Sequence, residues 1–278
     1  MKHKNKGFTL VEVMTAVTII VILVALLMPA LSMVRRMANE TAQKAQFAAI
    51  DMAIMAFKND YGDYPPSDCP PNPPSYDYGG AQKLAEALLG WDLLGFHPKS
   101  DWRYDGLDKD GLEWAYDPCN IRLGASLNER RGPYLETSKA NAFRLGSLFS
   151  NTGARAPATF VMCDVFAVKQ VAIGGKTVKA GTPILYYKAN TASKSFVVPG
   201  AWNDLTVMYN TFDNLSLIAL GKITDGTSHP LVLFNFDYAG GIRDPKITIP
   251  WPYRPDSYIL ISAGADGLYG TSDDIHNF

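Results

Sequence analysis

The chain has 278 residues and a formal net charge of -1, enough for one substantial hydrophobic core or two small ones. Because it carries no excess of positive charge to attract a polyanion, we do not expect nucleic acid among its partners. Apolar residues are concentrated in 8–34, whereas 59–80 is rich in Pro, Gly, Asp and Tyr. This shift in composition divides the chain near residue 62.

The N-terminus combines a basic head with an apolar run of membrane length. Three lysines lie among the first seven residues, and the run from Thr9 to Met28 is long enough for a bilayer-spanning helix. Only Arg35 and Arg36 immediately follow the span, so the positive-inside rule favours a cytoplasmic N-terminus with the bulk of the chain outside. The pattern predicts one membrane-spanning helix.

Glu12 is the unusual residue of this span. A carboxylate inside a spanning helix costs about 2.5 to 3.5 kcal/mol on insertion scales, and such residues usually have a partner and a function. Cleavage between Gly7 and Phe8 would create that partner, because the new α-amino group is cationic and lies near Glu12. The same pairing between two chains would set their axial register without leaving an unpaired charge in the lipid.

The segment 7–12, GFTLVE, resembles the processing and methylation motif of type IV pilins and type II secretion pseudopilins. The resemblance implies that a membrane prepilin peptidase cuts after Gly7 and methylates Phe8. It also implies that Glu12 assists assembly as the acidic residue of the mature N-terminus. Pro29 falls where many pilins carry a helix-kinking proline, and its missing N–H should weaken the helix there.

Two plainer interpretations of this N-terminus remain. In the first, it is an ordinary secretory signal cleaved after the small-residue segment 30–32; the carboxylate and the length of the apolar run argue against this. In the second, it is a simple membrane anchor in which the GFTLVE segment is accidental.

The helix is predicted to continue beyond the membrane to Tyr61, because 33–60 contains no Gly or Pro and a Pro-rich stretch follows. At 1.5 Å per residue, a helix over 8–61 would be about 80 Å long. Its apolar residues form two stripes at helical spacing. The first stripe is Phe47, Ile50, Ile54 and Phe57; the second is Ala45, Ala48, Met52 and Met55. We expect one stripe to face the chain's own head and the other to face neighbouring subunits; a helix buried all round is the alternative.

The fold class predicted for the chain is α+β. Residues 1–7 form a leader peptide, 8–61 the transmembrane and assembly helix, and 62–278 a globular head. Within the head, 81–89 is typical of a short helix ended by Gly90. Stretches 159–168, 183–187, 230–238 and 257–262 have strand character, and Gly174-Gly175 marks a turn. They predict an antiparallel sheet packed on the C-terminal half of the long helix.

The three cysteines, Cys69, Cys119 and Cys163, lack the CxxC spacing of a metal or redox motif, and at most one intramolecular bridge can form. If the head lies outside the cytoplasm, a Cys69–Cys119 bridge would close the Pro-rich region. Three unpaired thiols are the open alternative.

The end of the chain, 262–275, combines three carboxylates with three glycines directly after an apolar strand. Glycines permit a tight backbone path, and carboxylates supply the hard oxygen ligands that Ca²⁺ prefers. The segment resembles the C-terminal calcium-binding loop of the major pseudopilin of type II secretion systems. The resemblance implies Asp266, Asp273 and Asp274 as side-chain ligands of Ca²⁺. A solvated Asp/Gly turn is the alternative.

These features predict a structural subunit of a type II secretion pseudopilus or type IV pilus-like filament that drives protein export. The resemblance implies a major pseudopilin with an enlarged head, because 67–250 departs from the family pattern. Its implied partners are copies of itself, minor pseudopilins, prepilin peptidase and the inner-membrane assembly platform. The expected location is the inner membrane, with the head in the periplasm or outside.

A second functional class is a pilus-tip or membrane-anchored adhesin that binds through its aromatic-rich head. Its stacking surfaces would come from Trp91, Trp102, Trp114, Trp202 and Trp251, although core packing is the plainer role for these side chains. We do not expect an enzyme, because no HExxH, GxSxG or P-loop pattern occurs in the sequence.

Overall fold

A computed structural model confirms the α+β class: a long N-terminal helix precedes several small antiparallel sheets. The structure describes residues 7–69, 78–108, 114–116, 123–153, 155–193, 207–230, 242–244, 246–248 and 251–278. The chain divides into two compact units, Met1–Thr41 and Ala42–Phe278. The predicted domain boundaries at residues 7 and 61 stay predictions.

The long helix, α1, runs from Leu10 to Tyr61 and contributes to both units. It begins two residues later than predicted and continues through Pro29. In the first unit every described side chain from 7 to 39 is exposed. This helix is long and apolar enough to cross a membrane, and none of its most apolar window is buried. A helix with no buried face gains nothing from a protein core, so its apolar surface is suited to lipid or to other helices.

The part of α1 in the second unit separates the two predicted stripes. Phe47, Ile50, Ile54 and Phe57 are at most 3% exposed. Ala45, Ala48, Met52 and Met55 are exposed. The prediction of one buried stripe is therefore confirmed, and the alternative of a helix buried all round is wrong for this chain. That the exposed stripe faces neighbouring subunits stays a prediction.

The remaining helices of the described residues are short. They are α2 (Gly80–Leu89), α3 (Leu123–Glu129), α4 (Thr137–Ala140), α5 (Leu145–Leu148) and α6 (Phe212–Ile218). The helix predicted over 81–89 is confirmed, and all ten residues of α2 are buried. Gly90 ends it in a left-handed conformation, with φ at 89°, and donates its N–H to the Glu86 carbonyl at 2.8 Å.

The described strands pair only antiparallel, in three small sheets rather than one. They are β1 (Ala142–Arg144), β2 (Phe160–Met162), β3 (Lys169–Ile173), β4 (Lys176–Ala180), β5 (Leu185–Lys188), β6 (Tyr258–Ser262) and β7 (Ile275–His276). Strand β1 pairs with β2, β3 with β4, and β5 with β6, which also pairs with β7.

The predicted strands are recovered in part. Strands β2 and β6 lie within predicted stretches, and β5 extends one residue beyond the stretch 183–187. Gly174-Gly175 joins β3 to β4, two strands that were missed because most of their side chains are exposed and half of them are polar. Of the predicted strand 230–238, only Pro230 lies inside the described residues.

The sheet of β5 and β6 is buried on both faces, which explains why its sequence is a continuous apolar run. On one face, Tyr186, Tyr258 and Leu260 pack with α2 and with the buried stripe of α1. On the other face, Leu185 and Ile261 pack in a second hydrophobic cluster with α5, α6 and Tyr269. This sheet thus links α1 to the rest of the second unit and precedes the acidic C-terminal loop.

Candidate functional site: the start of α1 and the C-terminal acidic loop

The start of α1 is closed by a reciprocal pair of hydrogen bonds between Thr9 and Glu12. The Glu12 backbone N–H donates to Thr9 Oγ1 at 3.2 Å, and the Thr9 backbone N–H donates to Glu12 Oε2 at 2.8 Å. The Thr9 hydroxyl also donates to Glu12 Oε2 at 2.8 Å. This is a capping box, which satisfies backbone N–H groups that the first helical turn leaves without partners.

The capping box supplies a partner for Glu12 before any cleavage. From the sequence alone Glu12 is a charge that needs a new amine, whereas in the uncleaved chain its carboxylate already accepts hydrogen bonds from Thr9. The negative charge also lies in the first turn of α1, where it interacts favourably with the helix dipole. The sequence signal for this feature was present as Thr-x-x-Glu ahead of an apolar run, and it was missed.

The predicted cleavage junction lies outside the helix. Gly7, Phe8 and Thr9 precede α1 without regular structure, and the Phe8 side chain is 87% exposed. A Cβ added at Gly7 would meet no atom within 4 Å. The junction is therefore sterically open within the described part of the chain, while residues 1–6 of the predicted leader lie outside it. Cleavage after Gly7 and methylation of Phe8 stay predictions.

The C-terminal loop between β6 and β7 brings its three aspartates into one hydrogen-bonded turn. Asp273 Oδ2 accepts the Asp266 N–H at 2.9 Å, and Asp274 Oδ2 accepts the Gly270 N–H at 2.8 Å. Asp266 Oδ1 accepts the Leu268 N–H at 2.7 Å. The loop needs glycine at 264, because φ there is 63° and a Cβ would collide with the Asp273 backbone.

The charges of this loop are not balanced. Burial raises the pKa of Asp274 to about 7, and the nearby charges of Asp273 and Asp266 add to the effect. Burial acts in the same direction on Asp273, but hydrogen bonds from the Thr271 hydroxyl and the Asp266 amide outweigh it and hold its pKa below the usual value. Asp274 Oδ1 is buried and has no hydrogen-bond partner among the described residues. The loop would therefore be stabilised by a positive charge.

The donor chemistry of the loop fits Ca²⁺ in part. Carboxylate oxygens of the right kind are present, and one of them is buried without a partner. Yet no group of three or more His, Cys, Asp or Glu side chains within the described ranges is arranged to hold a metal ion. A bound Ca²⁺ would have to take backbone carbonyl oxygens as well, so the three predicted ligands stay a prediction.

The second unit also contains a cleft beside the end of α1. The cleft has a volume of about 750 Å³ and is lined by Lys58, Tyr64, Ser67, Lys188 and Asp213, among others. The Ser67 hydroxyl donates to the Asp213 carboxylate and accepts the Lys188 N–H at 2.9 Å. Burial and the charge of Asp68 raise the pKa of Asp213 to about 7, against the opposing effect of the Ser67 hydroxyl. The lining combines these polar and charged groups with apolar side chains such as Val207 and Met208.

The remaining predicted features are placed as follows. Trp114 is 49% exposed, while Trp91, Trp102 and Trp251 are half-buried. Trp202 lies outside the described residues. Cys69 and Cys163 are buried. Cys119 lies outside the described residues, so the predicted Cys69–Cys119 bridge stays a prediction.

Comparison with known proteins identifies one family model in the chain. Residues 2–28 match the prokaryotic N-terminal methylation motif. No curated protein and no solved structure matches the chain. The matched residues cover the capping box, the open junction at Gly7 and the exposed apolar part of α1. The match covers 27 of the 278 residues, so it supports a pilin-like N-terminus and assigns no family to the rest of the chain.

Proposed function

We propose that the protein is a structural subunit of a type II secretion pseudopilus or a type IV pilus-like filament. In this proposal, prepilin peptidase cleaves after Gly7, Phe8 becomes the methylated N-terminus, and Glu12 pairs with the new amine of a neighbouring copy. The head lies in the periplasm or outside the cell. Minor pseudopilins and the inner-membrane assembly platform are the proposed partners beyond the chain itself.

The observation that carries this proposal is the methylation motif at 2–28 on a helix whose most apolar window is not buried by any described residue. The exposed stripe of α1 extends the unpartnered surface into the second unit, where Met52 is 69% exposed and Met55 is 47% exposed. Contiguous exposed apolar surface of this kind marks an interaction site. A filament core made of parallel α1 helices would cover it.

Intact-mass measurement of the protein from its native membrane tests the proposal. We expect a chain of residues 8–278 carrying one added methyl group. A Gly7→Val variant should keep the leader, and its folding should be unaffected because the position is open. A wild-type protein that retains the leader, or that begins at Met33, contradicts the proposal.

Within this proposal the C-terminal loop binds Ca²⁺ through Asp266, Asp273 and Asp274. The support is the uncompensated charge at Asp274 and its buried, unpartnered oxygen. Calcium at a hundred times its Kd should stabilise the fold by about 2.7 kcal/mol, which raises the melting temperature by about 5–10 °C.

The measurement is the melting temperature of the purified protein with Ca²⁺ and with chelator. Asp274→Asn should abolish the shift, whereas Asp225→Asn, which changes an exposed aspartate in another loop, should keep it. A wild-type melting temperature that Ca²⁺ leaves unchanged contradicts the calcium proposal and leaves the filament proposal intact.

A second candidate function, a pilus-tip or membrane-anchored adhesin, is favoured by the cleft at the end of α1. Its charged and hydroxyl-bearing lining, with Tyr64 beside Lys58, suits a polar ligand such as a carbohydrate. A glycan-binding screen of the protein tests this candidate. Binding that Tyr64→Ala removes would support it, and no binding to any glycan would contradict it.

A further inference from the structure

A groove runs along α1 in the second unit, on the side between its buried and exposed stripes. This groove, which we name the α1 groove, has a volume of about 500 Å³. Its α1 side is formed by Ala42, Ala45, Gln46 and Ala49, and its other side by Ser138, Lys139, Asn141, Val165, Ala167 and Lys179. The small alanine side chains let an occupant approach the helix backbone closely.

Gln46 presents an unused acceptor in the α1 groove. The side chain is 7% exposed, and its Nε2 donates to the Cys163 carbonyl at 2.9 Å. This bond fixes the orientation of the amide, because the reverse orientation would set two oxygens against each other. Gln46 Oε1 is buried and has no partner among the described residues. Such an acceptor costs about 1–3 kcal/mol, so an occupant of the groove that supplies a hydrogen-bond donor would be stabilised.

The surroundings of the α1 groove are basic. Residues 137–181 contain six basic residues and one acidic residue, Asp164, which is fully buried. The whole chain has a net charge of -1, and this segment carries +5, so the rest of the chain carries -6. Lys139 and Lys179 line the groove, and Lys139 also pairs with Glu136 at 3.1 Å. An acidic occupant is therefore favoured electrostatically.

The chain itself carries a surface that complements the groove. Residues 51–68 contain four aspartates and one lysine. Asp63 and Asp68 follow the end of α1; they pair with Lys188 and Lys83, and their side chains remain 68% and 76% exposed. We propose that the α1 groove receives the acidic 62–69 segment of a second copy of this chain. The inference rests on the proposed filament function and names one of its contacts.

The separation of the two surfaces along α1 gives the contact a geometry. About 17 residues separate the middle of the groove from Asp63, which corresponds to about 25 Å of helix rise. Parallel copies staggered by this distance would bring one copy's acidic segment against the next copy's groove. Because the two surfaces differ, the contact is heterologous and repeats along a filament. Ala45 belongs to both the groove and the exposed stripe, so the same neighbour would also cover Met52 and Met55.

Charge reversal in the full-length protein tests the contact. Lys139→Glu with Lys179→Glu should lower the assembled fraction about tenfold or more, the effect of losing about 1.4 kcal/mol. Lys176→Glu is the matched control, since Lys176 is exposed on the same strand but does not line the groove. Asp63→Lys with Asp68→Lys should lower the assembled fraction to the same extent, and the combination of all four reversals should restore assembly. Leader cleavage should stay unchanged throughout. Because the reversals also remove the pairs of Asp63 with Lys188, Asp68 with Lys83 and Lys139 with Glu136, each variant is assayed for assembly below its own melting temperature.

A photo-crosslinking residue at Ala45 gives an independent readout. We expect an adduct between the 42–49 peptide of one copy and the 62–69 peptide of another. An adduct with a different region or a different protein overturns the inference. So does a Lys139→Glu/Lys179→Glu variant that assembles as well as Lys176→Glu. In both cases filaments still form, so the proposed function is not contradicted. A wild-type protein that keeps its leader and forms no filament contradicts the proposed function, and the inference falls with it.

Discussion

The carboxylate of Glu12 lies in the first turn of α1, within a helix whose neighbouring side chains are apolar or carry hydroxyls. In the uncleaved chain it caps the helix together with Thr9. A cap of this kind contributes about 0.5–2 kcal/mol to helix stability. Removal of residues 1–7 would place an α-amino group one residue before Thr9, so the same carboxylate would gain a cationic partner without leaving its cap.

Glu12→Ala is expected to block filament assembly while sparing leader cleavage. Cleavage is spared because the junction lies outside the helix, and assembly fails because the pairing with the neighbour's amine is lost. Pelleted filaments and the mass of the mature chain measure the two effects separately. Thr9→Val removes the capping hydroxyl but keeps the charge, so it should retain assembly if pairing is the essential role. Normal filaments from Glu12→Ala would contradict the charge-pairing argument.

Asp164 should make the stability of the head depend on pH. The residue is fully buried, and burial raises its pKa to about 7 against hydrogen bonds from Phe166, Thr182 and Ser262. Its pKa in the unfolded chain is about 3.9. Between these values the folded state keeps a proton that the unfolded chain has lost, so stability falls as pH rises from about 4 to about 7 and is level above that.

Replacing Asp164 with Asn removes this dependence, because the amide is neutral throughout. Relative to wild type, Asp164→Asn should gain about 1.4 kcal/mol of unfolding free energy per pH unit across this window. Denaturant unfolding at pH 5 and pH 8 measures the difference. A variant whose stability relative to wild type is the same at both values would show that the carboxyl is ionised in the folded protein.

At the scale of elements, the second half of α1 has two roles: its buried stripe packs in the head, and its exposed stripe is proposed to contact neighbouring copies. Ile54 is fully buried between α2 and β6, whereas Met52 is 69% exposed. Ile54→Ala should therefore destabilise the head by about 2–5 kcal/mol, and Met52→Ala should change it by less than about 0.5 kcal/mol.

Chemical denaturation gives the stability, and filament yield gives the second readout. Met52→Glu should leave the head folded but lower the yield of filaments, since it introduces a charge on the exposed stripe. Equal destabilisation by Ile54→Ala and Met52→Ala would mean that the exposed stripe is covered within the chain.

The strands show where pattern reasoning reaches its limit. Strands β5 and β6 were recognised because burial on both faces demands continuous apolar residues. Strands β3 and β4 were missed, since most of their positions are exposed, including those of Ile173 and Val178, and only Val171 and Ala180 are buried. The strand propensity of β3 and β4 is a weak signal because the pair buries so few side chains. Their pairing depends on the Gly174-Gly175 turn.

For the whole molecule, the division at residue 41 has an experimental consequence. Residues 7–39 bury no side chain, whereas both hydrophobic clusters lie entirely within Ala42–Phe278. A fragment of residues 42–278 should therefore fold cooperatively and stay soluble without membrane. Circular dichroism and a single unfolding transition would check this. A fragment that aggregates or melts without cooperativity would show that the first unit contributes to the fold.

The sequence by itself determined the features that depend on local pattern: the membrane-length apolar run, the GFTLVE motif, the α+β class and the two stripes of α1. Each follows from periodicity or composition over neighbouring residues, so it can be predicted from the sequence alone. Only the tertiary structure decided which stripe is buried, that one oxygen of Asp274 has no hydrogen-bond partner among the described residues, and that Gln46 lies with Lys139 and Lys179 at one groove. These residues are far apart in the chain, so their proximity depends on side-chain packing, which no local pattern encodes.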